Sequence, residues 1–159
     1  MSRAESRRVG VALDEAGLVA VGPAGAARHP WPADAWRDAL DRGDVEALAF
    51  AMQPAFRALH AAARGARELV VALAPPLAQT RQVELPPMRA DEAREVLARD
   101  AARYFVGVGG EQAIALSVAG RVGAPPVAVA ARDVLLGAVH AAARAAGWSA
   151  VDVVPAHAA

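Results

Sequence analysis

Carboxylates are the densest chemistry-bearing side chains in this chain. Asp91, Glu92, Glu95 and Asp100 fall in one segment of helical spacing, where two acids on a face can act as general acid and base. Arginines alternate with them, which is the pattern of a solvated, salt-paired helix face, with Glu95 and Arg99 placed as an i,i+4 pair. The histidines His29, His60, His140 and His157 are scattered and lack metal-ligand spacing. Gly107-Val108-Gly109-Gly110 is not followed at once by a helix and reads as a hinge, not a dinucleotide loop. Ser2, Ser6, Ser117, Ser149 and Thr80 lack the flanking glycines of a nucleophile elbow. No catalytic, cofactor-binding or metal-binding residue is therefore assigned, and no cofactor is expected. Partner-contacting residues are not assignable from the sequence either. Two aromatic pairs stay open: Tyr104-Phe105 either fills the seam between lobes or anchors a partner, and Trp31 with Trp36 either packs on the first hairpin or marks an exposed interaction surface.

Bulk properties exclude several classes. The chain has 159 residues, enough for one domain or two small lobes sharing a core. Lys plus Arg and Asp plus Glu both number 17, so no net field favours nucleic acid or an anionic membrane surface. Cysteine is absent, which removes disulfides and thiolate metal sites. No apolar run reaches the length of a membrane span, and the apolar start at Val9 is cut short by Asp14-Glu15. A soluble, cytoplasmic protein is expected.

These side chains must be positioned by alternating strands and helices. Arg8 to Leu13 and Leu18 to Gly22 read as a β-hairpin around Asp14-Glu15-Ala16-Gly17, with Gly17 free to take positive φ, and 26–29 is short enough for a third strand. A short helix over 33–40 is broken by Asp41-Arg42-Gly43. Asp44 then caps a second helix with apolar residues at Leu48, Met52, Ala55, Phe56 and Leu59, kinked or broken at Pro54 and ended by Gly65. Leu69 to Ala74 is a strand covered on both faces, ended by Pro75-Pro76. Strand 79–85, a helix over 90–103, strands 111–118 and 126–131, a helix capped by Asp133, and strand 148–154 follow in the order β-α-β-β-α-β. The expected class is α/β (α+β), with lobes at 1–74 and 75–159.

The stretch from Val70 to Val106 resembles the PilM/GspL-like branch of the actin-like ATPase superfamily. The matching residues are Val70-Val71-Ala72-Leu73-Ala74-Pro75, then Arg81-Gln82-Val83-Glu84-Leu85-Pro86, then the helix from Asp91 to Tyr104. The segment Val127 to Pro155 is also similar. The resemblance implies half of an actin-like fold: part of subdomain 1A, over 8–74, followed by the small inserted subdomain 1C. Two departures matter. Where the family has its phosphate hairpin, this chain has Gly10-Val11-Ala12-Leu13-Asp14, with Ala12 in place of the metal-side aspartate and Asp14 in place of the turn glycine. A carboxylate there repels phosphate. Neither a second phosphate hairpin nor an adenine pocket is expected from these residues.

The resemblance thus implies a non-enzymatic scaffold or adaptor of a type IV pilus or type II secretion machine. It would dock a protein partner, the cytoplasmic tail of an inner-membrane component, and sit at the membrane only through that partner. In PilM-like proteins the tail lies in a groove between 1A and 1C, and its equivalent here is expected near Pro75-Pro76. Alternatives are an ATP-binding actin-like protein that needs a second lobe, and a self-assembling module forming homo-oligomers.

Overall fold

The computed structural model describes residues 8–22, 25–63, 65–106, 110–117 and 126–156. Its chain path starts as a meander of three antiparallel strands, β1 (Arg8–Asp14), β2 (Gly17–Gly22) and β3 (Gly25–Pro30). Asp14 pairs with Gly17, so Glu15 and Ala16 form the tip. Gly17 is not one of the glycines with positive φ. It is needed for a different reason: a Cβ there would lie 2.4 Å from the His29 carbonyl oxygen across the sheet.

Two helices follow, α1 (Ala33–Arg42) and α2 (Val45–Ala62). Gly43 ends α1 at φ 70, where a side chain would be strained. The Asp44 side chain caps α2 by accepting the Ala47 N–H at 2.9 Å. Pro54 does not break α2, which runs unbroken through it. Pro54 and Phe50 are both exposed, so water can satisfy the Phe50 carbonyl that loses its helical donor. Meanwhile Leu48, Met52, Ala55, Phe56 and Leu59 hold the opposite face in the core. The chain leaves α2 through Ala63, and the positive-φ residue is Gly65 at φ 87, two residues after that cap.

Strand β4 (Glu68–Leu73) pairs in parallel with β1. Leu69, Val71 and Leu73 are buried, but Val70 and Ala72 are only half-buried and join neither core cluster. The expectation of two covered faces is corrected: all of the core helices lie on one side of this strand. Past the cis Pro75-Pro76 bond, β5 (Ala78–Gln82) is shorter than the alternation implied. Its partner strand begins at Val127, and Pro126 can offer only its carbonyl, to Val83 N–H at 3.0 Å. The helix expected over 90–103 is two pieces, α3 (Ala90–Arg99) and α4 (Ala101–Tyr104), divided at Asp100. That break turns the last turn so that Phe105 enters a small core with Val83, Leu97, Ala128 and Ala130. Phe105 fills the second lobe itself, not a seam between lobes, and Tyr104 packs beside it half-buried.

Strands β6 (Gln112–Ser117) and β7 (Val127–Arg132) pair with each other, and β7 also pairs with β5. Helix α5 (Asp133–Ala145) and strand β8 (Ala150–Pro155) end the chain path. Asp133 is the first residue of α5 and not its cap, which is Arg132. Its charge in the first turn still suits the helix macrodipole.

Sheet membership corrects the expected lobes. Strand β8 pairs in parallel with β4, giving a five-stranded sheet in the order β3-β2-β1-β4-β8. The second sheet has three strands, β5-β7-β6, and is no four-stranded βαββαβ unit. The chain therefore crosses into the smaller lobe at 74–78 and returns at Arg132-Asp133. The physical reason is α5. Its face of Leu135, Ala138, Val139, Ala142 and Ala143 is buried along α2, and the alanines permit close approach. Trp148 locks this pairing by donating its indole N–H to the Phe56 carbonyl at 3.3 Å. With α5 on the larger sheet, β8 is delivered to the open edge of β4. Leu77, Ala78 and Ala131 join the larger core and weld the lobes at the crossing.

Candidate functional site

The β1–β2 tip is a filled anion nest. The Asp14 carboxylate accepts the backbone N–H groups of Ala16 and Gly17, each at 2.8 Å. Arg28 on β3 pairs with the other oxygen at 3.1 Å. The amides that would meet an external anion are thus held by the chain's own carboxylate, and the nearest cation is already neutralised. Below it, Trp31 donates its indole N–H to the Asp14 carbonyl at 3.0 Å and its backbone N–H to the Ala16 carbonyl at 3.2 Å. Trp31 and Trp36 are both buried and stacked, with centroids 6.3 Å apart and planes 4° from parallel. The open choice for this pair is settled as packing on the hairpin. Replacing Asp14 by Ala should cost about 1–2 kcal/mol through two lost charge-assisted bonds, read as a lower denaturation midpoint. Asp14→Asn keeps one acceptor for both amides and should cost about 0.5 kcal/mol or less.

The carboxylates of α3 do not converge. Asp91 meets Arg89 at 2.6 Å, and Glu92 accepts the Arg89 backbone N–H at 3.0 Å as half of a capping box. Arg99 turns to Asp100 at 3.5 Å, so the expected Glu95–Arg99 pair is not formed. All of these pairs are largely solvent-exposed.

The histidines stay apart: His60 packs edge-on against Trp148 with centroids 5.1 Å apart, His29 lies on β3 and His140 on α5. His157 lies outside the described residues, as do Ser2, Ser6 and 107–109 of the glycine run. Gly110 is described, at φ 79. Ser149 donates its hydroxyl to the Arg67 carbonyl at 3.2 Å, and Thr80 is exposed on β5. Among the described residues no group of three or more His, Cys, Asp or Glu is arranged to hold a metal ion.

What the sequence reading missed is Arg132. It sits where β7 hands the chain back to α5, in a groove of about 390 Å³ between the lobes. The α1–α2 turn, from Asp41 to Val45, forms one wall. Gly110, Glu111 and the start of α5 form the other. The Arg132 side chain is only 18% exposed, and one guanidinium nitrogen meets Asp41 at 3.5 Å. Its Nε is buried without a hydrogen-bond partner. Gly110 lies against this cation at φ 79, where a side chain would be strained, and a Cβ there would meet the guanidinium at ordinary contact distance, 3.4 Å. This groove lies at the second crossing between lobes; Pro75 and Pro76, at the first crossing, are exposed. Nε itself is shielded, but a planar cation fixed between two lobes can bind a carboxylate or a backbone carbonyl through its terminal nitrogens. The available signal was a lone arginine between the apolar run of β7 and the acidic start of α5.

The fold is mixed α+β with two sheets and matches half of an actin-like fold of the PilM/GspL type. Two solved structures carry this likeness. The cytoplasmic domain of EpsL, an inner membrane component of the type II secretion system of Vibrio cholerae, matches 93% of this chain and 56% of its own at TM-score 0.56 and 17% identity. The PilM-PilN type IV pilus biogenesis complex matches 97% of this chain and 48% of its own at TM-score 0.57 and 20% identity. The chain thus spans about half the length of each. No family model matches the sequence, and no curated protein matches it. Among the described residues, no helix is long and apolar enough to cross a membrane.

Proposed function

We propose that this chain is a non-enzymatic docking scaffold of an inner-membrane assembly machine, of the pilus or type II secretion kind. It works in the cytoplasm, reaching the membrane through its partner. The observation that carries the reading is the likeness of nearly the whole chain to half of a secretion-system component and half of a pilus-biogenesis component. The inter-lobe groove supports it, because it holds the Arg132 guanidinium, a directional cation, between the α1–α2 turn and the β7–α5 junction, where a chain segment could lie. The partner is a short cytoplasmic segment of an inner-membrane protein, presenting a carboxylate or carbonyl to Arg132 and an extended backbone to the groove.

The filled hairpin supports the absence of nucleotide chemistry. An ATP phosphate would have to displace the Asp14 carboxylate from Ala16 and Gly17 and then lie against that charge. Calorimetry with magnesium and ATP should therefore show no binding heat and no thermal shift; saturable heat would restore the ATP-binding alternative. Affinity capture with the whole chain at native abundance should recover an inner-membrane component of an assembly machine. Recovery of soluble proteins alone would overturn the docking role.

A further inference from the structure

A second surface is built for contact and shares only Arg42 with the inter-lobe groove. Between the turn before α1 and the facing sides of α1 and α2 runs an apolar groove of about 660 Å³. Ala35, Ala47 and Ala51 line it, and their small side chains leave its depth open. Phe50 stands at its edge, 78% exposed, the most exposed of the large apolar residues described. Burying such a ring is favourable wherever a matching hollow is available. Knob and hollow lie side by side on one patch.

We infer that this patch is a self-complementary interface, and that its occupant is a second copy of the chain related by a two-fold axis. In an isologous contact each copy's knob enters the other's hollow, which requires both on the same surface. The charges fit the same symmetry. Asp38 and Arg42 both line the groove, one turn apart on α1. Both are exposed, and neither forms an ion pair or side-chain hydrogen bond with another described residue. A two-fold axis between them sets each Asp38 against Arg42 of the second copy. A partner of uniform charge would satisfy only one of the two. The chain's formal net charge of zero removes long-range repulsion between copies.

Sedimentation equilibrium of the full chain tests this. A reversible monomer–dimer equilibrium in the micromolar to submillimolar range is expected. Phe50→Asp should weaken it by about 30-fold or more, as for a central aromatic anchor, with circular dichroism unchanged because the side chain is exposed. Asp38→Arg and Arg42→Asp should each weaken the dimer, and the double swap should restore it, since a contact that sets residue 38 against residue 42 of the second copy re-pairs the exchanged charges. A monomer at all concentrations would overturn the inference and leave the groove to another kind of partner. So would a dimer insensitive to Phe50→Asp, or one that the double swap fails to rescue.

Discussion

Phe56→Ala is expected to lower stability by about 3–5 kcal/mol, the range for emptying a buried aromatic site. For a chain of this size that is a fall in melting temperature of about 6–20 °C. Phe56 is fully buried on the core face of α2. It sits where α2 meets α5, and its backbone carbonyl receives the Trp148 indole N–H at 3.3 Å. The cavity would open between two helices packed through alanines, and alanines have no rotamers with which to refill it. Thermal or urea unfolding followed by circular dichroism measures the effect. A loss below about 1 kcal/mol would mean that α2 and α5 are not the joint on which the larger lobe depends.

Phe105→Ala should have a comparable cost of about 3–5 kcal/mol but a different distribution. Phe105 is the largest buried side chain in the cluster that also holds Val83, Leu97, Ala128 and Ala130, and none of these belongs to the larger core. With so few large residues the smaller lobe has little to compensate the loss. Native-state hydrogen exchange should therefore show α3 and the β5-β7-β6 sheet losing protection first. The β1 and β4 amides should stay protected until global unfolding. Uniform loss across both sheets would show that the lobes unfold as one unit, through the weld at Leu77, Ala78 and Ala131.

The contrast between these residues also shows what could be read before any coordinates. Local signals were legible. The Asp44 cap, the apolar stripe from Leu48 to Leu59 and the α5 stripe all act within a few residues of themselves. The continuous apolar run from Leu69 to Ala74 marked β4 correctly, although it overstated how much of that strand is covered. Non-local choices were not legible. That β8 joins β4 depends on α5 packing on α2, and the β-α-β-β-α-β order is equally compatible with a closed small lobe. Pro54 failed as a helix breaker because its site faces water, a property the sequence does not display.

At the candidate site the hairpin was half legible. An aspartate where a turn glycine belongs announced a changed phosphate loop. That its carboxylate would fill the nest itself, with Arg28 behind it, required the strand register. Arg132 was not legible, because an arginine between a strand and a helix looks like an ordinary solvated boundary residue. Only the placement of the α1–α2 turn opposite β7 makes it a buried anchor.

Docking in the inter-lobe groove is the central claim, and site-specific photo-crosslinking in cells tests it most directly. A crosslinker at Glu111, exposed on the groove wall, should capture the cytoplasmic segment of an inner-membrane protein. The same group at Thr80, exposed on β5, should not. Arg132→Gln, which removes the cation without setting a buried carboxylate against Asp41, should abolish the Glu111 crosslink with circular dichroism unchanged. Crosslinking from Thr80 but not Glu111, or crosslinking at Glu111 that survives Arg132→Gln, would contradict the account.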